Sequence, residues 1–275
     1  MMPPKNVRAL SEQTIDDFGD QWTRFTNNDG FYGSRTLFED MCGPLLPVDA
    51  VRGLRVAEIG SGTGRIVRML LGCGAAHVVA LEPSRAFEVL QRNLAEFGER
   101  VECLCVTGDQ LPASRAFDLV VSIGVLHHIP DPAPSVRAAY NALRPGGQML
   151  VWLYGQEGNA MYLAVMQPLR AITTRLSHNA VLTLARLFVT AFEPYVWLAA
   201  RLPLPLPLGK YFANVFGRMD RDKKVLIVYD QLRPAYARYY SGAEAIALLS
   251  GAGFEDVRTH HRHGYSWTVL GTKPR

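Results

Sequence analysis

The sequence predicts an α/β fold: seven strands in a mostly parallel sheet, helices on both faces, the last strand antiparallel, and a helical insertion before the closing segment. Three observations carry this. Short apolar runs alternate with helix-period segments from Leu54 to Tyr154, and such alternation calls for crossover connections and hence a parallel sheet. The runs are nearly continuous, as in Phe117-Asp118-Leu119-Val120-Val121-Ser122-Ile123, which suits strands covered on both faces. Residues 56–64 read Val-Ala-Glu-Ile-Gly-Ser-Gly-Thr-Gly, a strand passing directly into a helix through three glycines.

Taken in order, residues 1–50 precede the sheet. They hold an aromatic-rich segment from Thr14 to Phe25 and a second apolar group at Phe31, Tyr32, Leu37 and Phe38. These read as two helices, either packed on the fold or serving as a lid. Strands are expected at 54–59, 77–81, 101–106, 117–123 and 148–154, with helices at 64–71, 84–97 and 134–143. Ser241 and Glu244 form a capping box that opens a helix through Leu249, and Gly251-Ala252-Gly253 stops it. Two β-like runs, 256–263 and 266–272, close the chain as a hairpin.

The glycine turn permits a ligand to approach bare backbone. Its spacing, Glu58-x-Gly60-x-Gly62-x-Gly64, differs from the G-x-G-x-x-G of dinucleotide sites. Later landmarks follow in order: Glu82 ends the second strand, Gly108-Asp109-Gln110 follows the third, Gly124-Val125-Leu126-His127-His128 follows the fourth, and Leu143-Arg144-Pro145-Gly146-Gly147 precedes the fifth. Together they resemble the Rossmann-like class I S-adenosylmethionine-dependent methyltransferases of small-molecule type. Phe18-Gly19-x-Gln21-Trp22, Tyr154-Gly155-Gln156-Glu157-Gly158-Asn159 and Asp230-Gln231-Leu232-x-Pro234 are similar to a bacterial subgroup found with glycan or natural-product pathways.

The resemblance implies S-adenosylmethionine as cofactor and S-adenosylhomocysteine as product. Glu58 would orient the methionine amino end, with Gly60, Ser61, Gly62 and Gly64 lining it. Glu82, followed by Pro83, would hold the ribose. Asp109 with Gln110 would recognise adenine, and Ser122, Ile123 and Gly124 would pass under the methionine moiety. His127 and His128 are the candidate general bases, with Tyr32, Tyr154 and Glu157 as rivals. Trp22, Phe25, Tyr32 and Tyr154 would contact substrate. His260, His261 and His263 read as a solvated hairpin, with no metal implied.

Composition is globular, 48% hydrophobic and 20% charged over 275 residues. The N-terminus lacks the pattern of a secretory signal. Cys42, Cys73, Cys103 and Cys105 form no metal or disulfide framework. Cys103 and Cys105 read as small buried residues, and a cytoplasmic setting is expected. Net charge is +4, yet residues 156–240 carry 11 Lys and Arg against 5 Asp and Glu. The insertion, 156–238, is therefore basic as well as apolar. No apolar run in it reaches the ~18 residues of a membrane span, and Leu202 to Leu208, with prolines at 203, 205 and 207, should run extended. The insertion reads as a helical cap over an apolar substrate, or as a surface entering a membrane interface. The expected acceptor is small or lipid-linked, with oxygen slightly favoured. Nucleic acid is not expected, because no N/D-P-P-Y/F motif follows the fourth strand. A non-catalytic cofactor-binding scaffold or regulatory protein is the alternative.

Overall fold

The computed structural model describes residues 4–201 and 206–275. Its strands are β1 (Arg55–Ile59), β2 (His77–Leu81), β3 (Val101–Leu104), β4 (Phe117–Ile123), β5 (Leu143–Tyr154), β6 (Glu255–Arg262) and β7 (Ser266–Thr272). They form one sheet in the order β3-β2-β1-β4-β5-β7-β6. β7 runs antiparallel to both its neighbours, and the other pairs are parallel. Strand order reverses between β1 and β4, which places the ends of those strands at the crevice where open α/β sheets bind ligands.

Helices α1 (Pro4–Arg24) and α2 (Arg35–Cys42) precede the sheet. α3 (Arg65–Gly72), α4 (Phe87–Leu94) and α5 (Ala133–Ala142) alternate with the strands. α6 (Ala160–Thr173), α7 (His178–Arg201), α8 (Gly209–Asn214) and α9 (Arg221–Leu232) make up the insertion, and α10 (Gly242–Ser250) returns the chain to the sheet. Two apolar cores cover the sheet faces. One joins Val56, Val78 and Leu119 to Leu70, Leu90 and Phe38. The other joins Ala57, Val79 and Val120 to Val136, Ala139, Ala245 and Leu249. The insertion has a third core of its own, built on Val181, Ala185, Val189, Phe216, Val225 and Tyr229.

The elements depart from expectation where side chains compete with backbone pairing. The helix expected from Ser84 starts at Phe87, because Ser84 Oγ accepts from Ala86 N and holds a turn there. It ends at Leu94 and gives way to 3₁₀ turns, Ala95–Arg100. β3 stops at Leu104, so Cys105 is exposed and Cys103 only half-buried. The two cysteines are therefore not the buried pair that alternation suggested. β5 begins at Leu143, because Leu143 pairs with Phe117 across a register shift and makes Arg144-Pro145-Gly146-Gly147 an irregularity within the strand. The Ser241–Glu244 capping box forms at α10. α7 is, by length and composition, long and apolar enough to cross a membrane, against the sequence expectation. Of the proline-rich stretch, residues 202–205 lie outside the described residues.

One position tests how tightly the β1 turn is built. Gly60 sits at φ +78, and a Cβ there would lie 2.5 Å from Val125 Cγ2. Gly60→Ala should cost about 2–4 kcal/mol, combining left-handed strain with overpacking. Chemical denaturation of the two proteins measures it.

Candidate active site

The end of β1 is built by hydrogen bonds to the end of β2. Ile59 pairs with Leu81, and the amides of Gly60 and Ser61 both donate to the Leu81 carbonyl at 2.9 and 2.8 Å. The Glu82 carboxylate then accepts from Gly62 N at 2.7 Å and from Ser84 N at 3.0 Å. Glycines at 60, 62 and 64 all have positive φ, so each amide turns as this loop requires without a side chain in the way. The N-terminal segment clasps the same turn. Asn28 exchanges hydrogen bonds with Thr63 at 2.8 and 3.1 Å, and Asn93 Nδ2 joins the carbonyls of Thr26 and Thr63. The Trp22 indole lies 3.2 Å from where a Gly62 Cβ would stand.

These groups face a cavity of about 950 Å³ that extends from the strand ends under α1 and the insertion. Glu58, Gly60, Ser61, Gly62, Glu82, Pro83, Asp109, Gln110, Ile123 and Gly124 line one part. Glu58 is 1% exposed and its Oε2 has no partner. Burial pushes its carboxyl up to about 8. A buried carboxyl with one free oxygen beside bare glycine backbone suits the ammonium end of S-adenosylmethionine, because an opposite charge would offset the burial that now disfavours ionisation. Glu82 keeps unused lone pairs on both oxygens, enough for two hydroxyl donors. Gln110 instead turns back, its Oε1 accepting from Thr107 in a capping box.

The other part of the cavity is aromatic. Trp22, Tyr32, Trp152, Tyr154, Tyr162, Tyr211, Tyr239 and Tyr265 line it, with apolar Leu37, Met41, Val215 and Leu226. Asp230 enters this wall from α9. It accepts from Gln21 Nε2 and from the Tyr154 hydroxyl, both at 2.9 Å, and among the described residues it has no ion-pair partner. His128 lines the cavity too. Its Nδ1 is 2.8 Å from the Tyr236 carbonyl. A carbonyl only accepts, so Nδ1 carries the proton and Nε2 the lone pair. Burial lowers the pKa of His128, which keeps the ring neutral at pH 7.

Five residues expected at the site lie elsewhere. His127 is fully buried, both ring nitrogens lack partners, and the ring stacks on Tyr154 at 3.8 Å. It supports the wall from behind. Ser122 is fully buried, and its hydroxyl bonds the Ile59 carbonyl at 3.4 Å, tying β4 to β1. Gly64 faces away, with Leu90 and Leu94 packed where a Cβ would be, so it serves the contact between α3 and α4. Phe25 packs against Tyr229 at 5.9 Å, between the α1 end and the insertion core. Glu157, the rival base, caps α10 through Gly242 N and accepts from the Trp267 indole. The hairpin histidines are half-buried rather than solvated: His263 bonds Asp40 at 2.8 Å and His261 stacks on Trp267 at 4.2 Å. Sequence reading missed Gln21, Asn28, Asn93, Tyr162, Asp230 and Tyr239 as site residues. Only the flanking segments around Gln21 and Asp230 gave a signal.

Residues 57–151 match the methyltransferase domain family. Over 117 residues the chain is 33% identical to the ubiquinone biosynthesis O-methyltransferase of Aromatoleum aromaticum, taking in 42% of this chain and 50% of that enzyme. Over 114 residues it is 32% identical to the tRNA U34 carboxymethyltransferase of Pseudoalteromonas atlantica, covering 41% of this chain and 35% of the relative. The chain thus matches half or less of the length of these curated relatives. Among solved structures, the S-adenosylmethionine-dependent methyltransferase SibL aligns with a TM-score of 0.51 at 20% identity, over 87% of this chain and 56% of that one. At that identity the likeness is one of fold.

Two outcomes follow from the turn. Glu58 is protonated at neutral pH without ligand, since its folded pKa of about 8 lies above the ordinary 4.5. In that window the folded state holds the extra proton, so ligand-free stability falls as pH rises from 4.5 towards 8. Binding an ammonium group should release about one proton at pH 7, read by calorimetry in buffers of different ionisation enthalpy and abolished in Glu58→Gln. Glu82→Ala should lose both ligand affinity and about 1–3 kcal/mol of stability, because two buried amides lose their acceptor. Thermal unfolding without ligand separates the two effects.

Proposed function

Since residues 57–151 match the methyltransferase domain family, we propose that this chain is an S-adenosylmethionine-dependent methyltransferase that moves a methyl group to a small or lipid-linked acceptor held under the insertion, with oxygen the favoured atom. The observation that carries the reading is the continuity of one cavity. It joins the free Oε2 of Glu58 and the glycine turn to His128, Asp230 and the tyrosine wall.

Each residue has a role that its geometry suits. Glu58 pairs with the methionine ammonium, and the amides from Gly60 to Gly62 flank the amino-acid moiety. Glu82 accepts from the ribose hydroxyls while its bonds to Gly62 and Ser84 hold the turn. Asp109 would accept from the adenine amino group, with Pro83 lining the same part of the cavity. Ile123 and Gly124 form the floor. The cofactor supplies an electrophilic methyl group on a sulfonium, and displacement there needs an in-line nucleophile held close. The aromatic wall excludes water and orients a ring or an isoprenoid chain. His128 Nε2 accepts the hydrogen bond from the acceptor's hydroxyl and takes that proton as the oxygen is methylated. Asp230, facing the same cavity, favours the imidazolium that results.

The Aromatoleum relative's name, with its quinone-pathway acceptor, supports an apolar hydroxylated substrate. The tRNA-modifying relatives support a second reading, an RNA acceptor. The rim favours the first, because the cavity walls next to His128 are aromatic and apolar rather than a basic track for phosphates.

The direct test is transfer of radiolabelled methyl from S-adenosylmethionine into a bacterial extract, followed by phase partition. Enzyme-dependent label in the organic phase supports the apolar acceptor, label in RNA supports the second reading, and no label with cofactor bound supports a non-catalytic protein. With an acceptor in hand, His128→Ala should lower kcat roughly 10²–10⁴-fold with cofactor affinity kept. Its wild-type pH profile should fall on the acid side with a midpoint below 6.5, since burial lowers this pKa. His127→Ala should instead lose about 2–5 kcal/mol of stability through the cavity it leaves. Equal turnover in wild type and His128→Ala would remove the base.

A further inference from the structure

The insertion carries a surface that the cavity does not explain. Seven large apolar side chains are exposed among the described residues, and six lie on two helices. Met161, Val165 and Ile172 are each about 60% exposed on α6, and Leu187, Phe192 and Trp197 are exposed on α7. Met161, Val165 and Ile172 fall on one helical stripe, as do Leu187, Pro194 and Trp197, whereas Phe192 lies off that stripe and stacks on Phe212 of α8. Their opposite faces are occupied: Val181, Ala185, Val189 and Val196 of α7 are buried in the insertion core with α9. α6 turns Tyr162 into the cavity, one residue from the exposed Met161.

The charges on this surface are one-sided. Between Gly158 and Met219 the only acid is Glu193, and it is paired with Lys224 at 2.8 Å. The same span holds Arg170, Arg175, Arg186, Arg201, Lys210 and Arg218. Arg175, Arg186 and Arg201 are exposed among the apolar residues, and the Arg201 guanidinium lies 4.7 Å over the Trp197 ring. Apolar side chains interleaved with arginine and an interfacial tryptophan are what a helix lying in an anionic headgroup layer needs. We propose that the outer face of α6 and α7 docks this protein on the surface of a membrane rich in anionic lipid.

Two other occupants fit less well. A second copy meeting this face by a two-fold axis would bring the same arginines together without acids to pair them. A membrane-spanning α7 would place Arg186 and Glu193 in hydrocarbon and strip its buried face from α9. Docking along the plane keeps both contacts. It also sets the helix that lines the acceptor cavity against the lipid layer, where a lipid-linked acceptor resides. The docking itself does not depend on the methyl-transfer reading.

The test is co-sedimentation of the full chain with vesicles, one set of phosphatidylcholine alone and one an equimolar mixture with phosphatidylglycerol. The protein should pellet with the mixed vesicles and bind at least roughly tenfold less to the neutral ones, as expected when several arginines each contribute near an anionic surface. Leu187→Ser with Trp197→Ser should abolish pelleting, and Arg186→Glu with Arg201→Glu should weaken it by at least tenfold on the same basis. Both pairs are exposed, so circular dichroism and S-adenosylhomocysteine affinity should be unchanged. Failure to pellet, or equal pelleting on both vesicles, overturns the proposal. So does a dimer in light scattering that the serine pair dissolves, which would make the face a contact between copies.

Discussion

The bond from Gly62 N to the Glu82 carboxylate joins the ends of β1 and β2, and the site is organised around it. It fixes the three-glycine turn in its left-handed path. That turn in turn sets where α3 begins, where Trp22 can lie, and where one oxygen of the Glu58 carboxyl is left without a partner. A parallel sheet alone leaves open ends at its crevice. Here one carboxylate closes two of them while keeping lone pairs for a ligand. An unpaired buried amide costs free energy comparable to a lost hydrogen bond, so the group that stabilises the turn is also one that lines the cavity with lone pairs free.

Above this turn the two segments outside the sheet act on each other. α1 reaches α9 through Gln21 and Asp230. Asp17 pairs with Arg233 at 3.3 Å and accepts from Ala235 N, and Asp20 pairs with His178 at 2.8 Å. The cavity is therefore roofed from both sides, and the roof is tied to the wall by the bond from Tyr154 to Asp230. Asp230 both ties the roof to the wall and lines the cavity that the roof closes.

The sheet and the glycine turn were legible because they depend on local pattern: strand runs ending in Glu82, Asp109 and Gly124 at matching positions. The capping box at Ser241 and Glu244 was legible for the same reason. What escaped depends on contacts between distant parts of the chain. Asn93 bonds carbonyls of Thr26 and Thr63, and Gln21 meets Asp230, and no spacing in the sequence foretells either. Consecutive histidines were a limit of another kind. The tight turn at Leu126–His128 sends one ring into the cavity wall and the other behind it, a difference of direction that residue type does not encode. Ser122 and Gly64 illustrate the converse, residues beside the motif whose contacts turn out to hold strands and helices together.

The turn between Glu58 and Gly64, with Glu82 and Asp109, is proposed to receive S-adenosylmethionine rather than a dinucleotide. Hydrogen–deuterium exchange on the full chain, with S-adenosylhomocysteine and separately with NAD, tests this most directly. Slowed exchange is expected at residues 58–64, 82–84 and 107–110 with S-adenosylhomocysteine, and no change with NAD. Protection by NAD, or S-adenosylhomocysteine protection absent from these three segments, would contradict it.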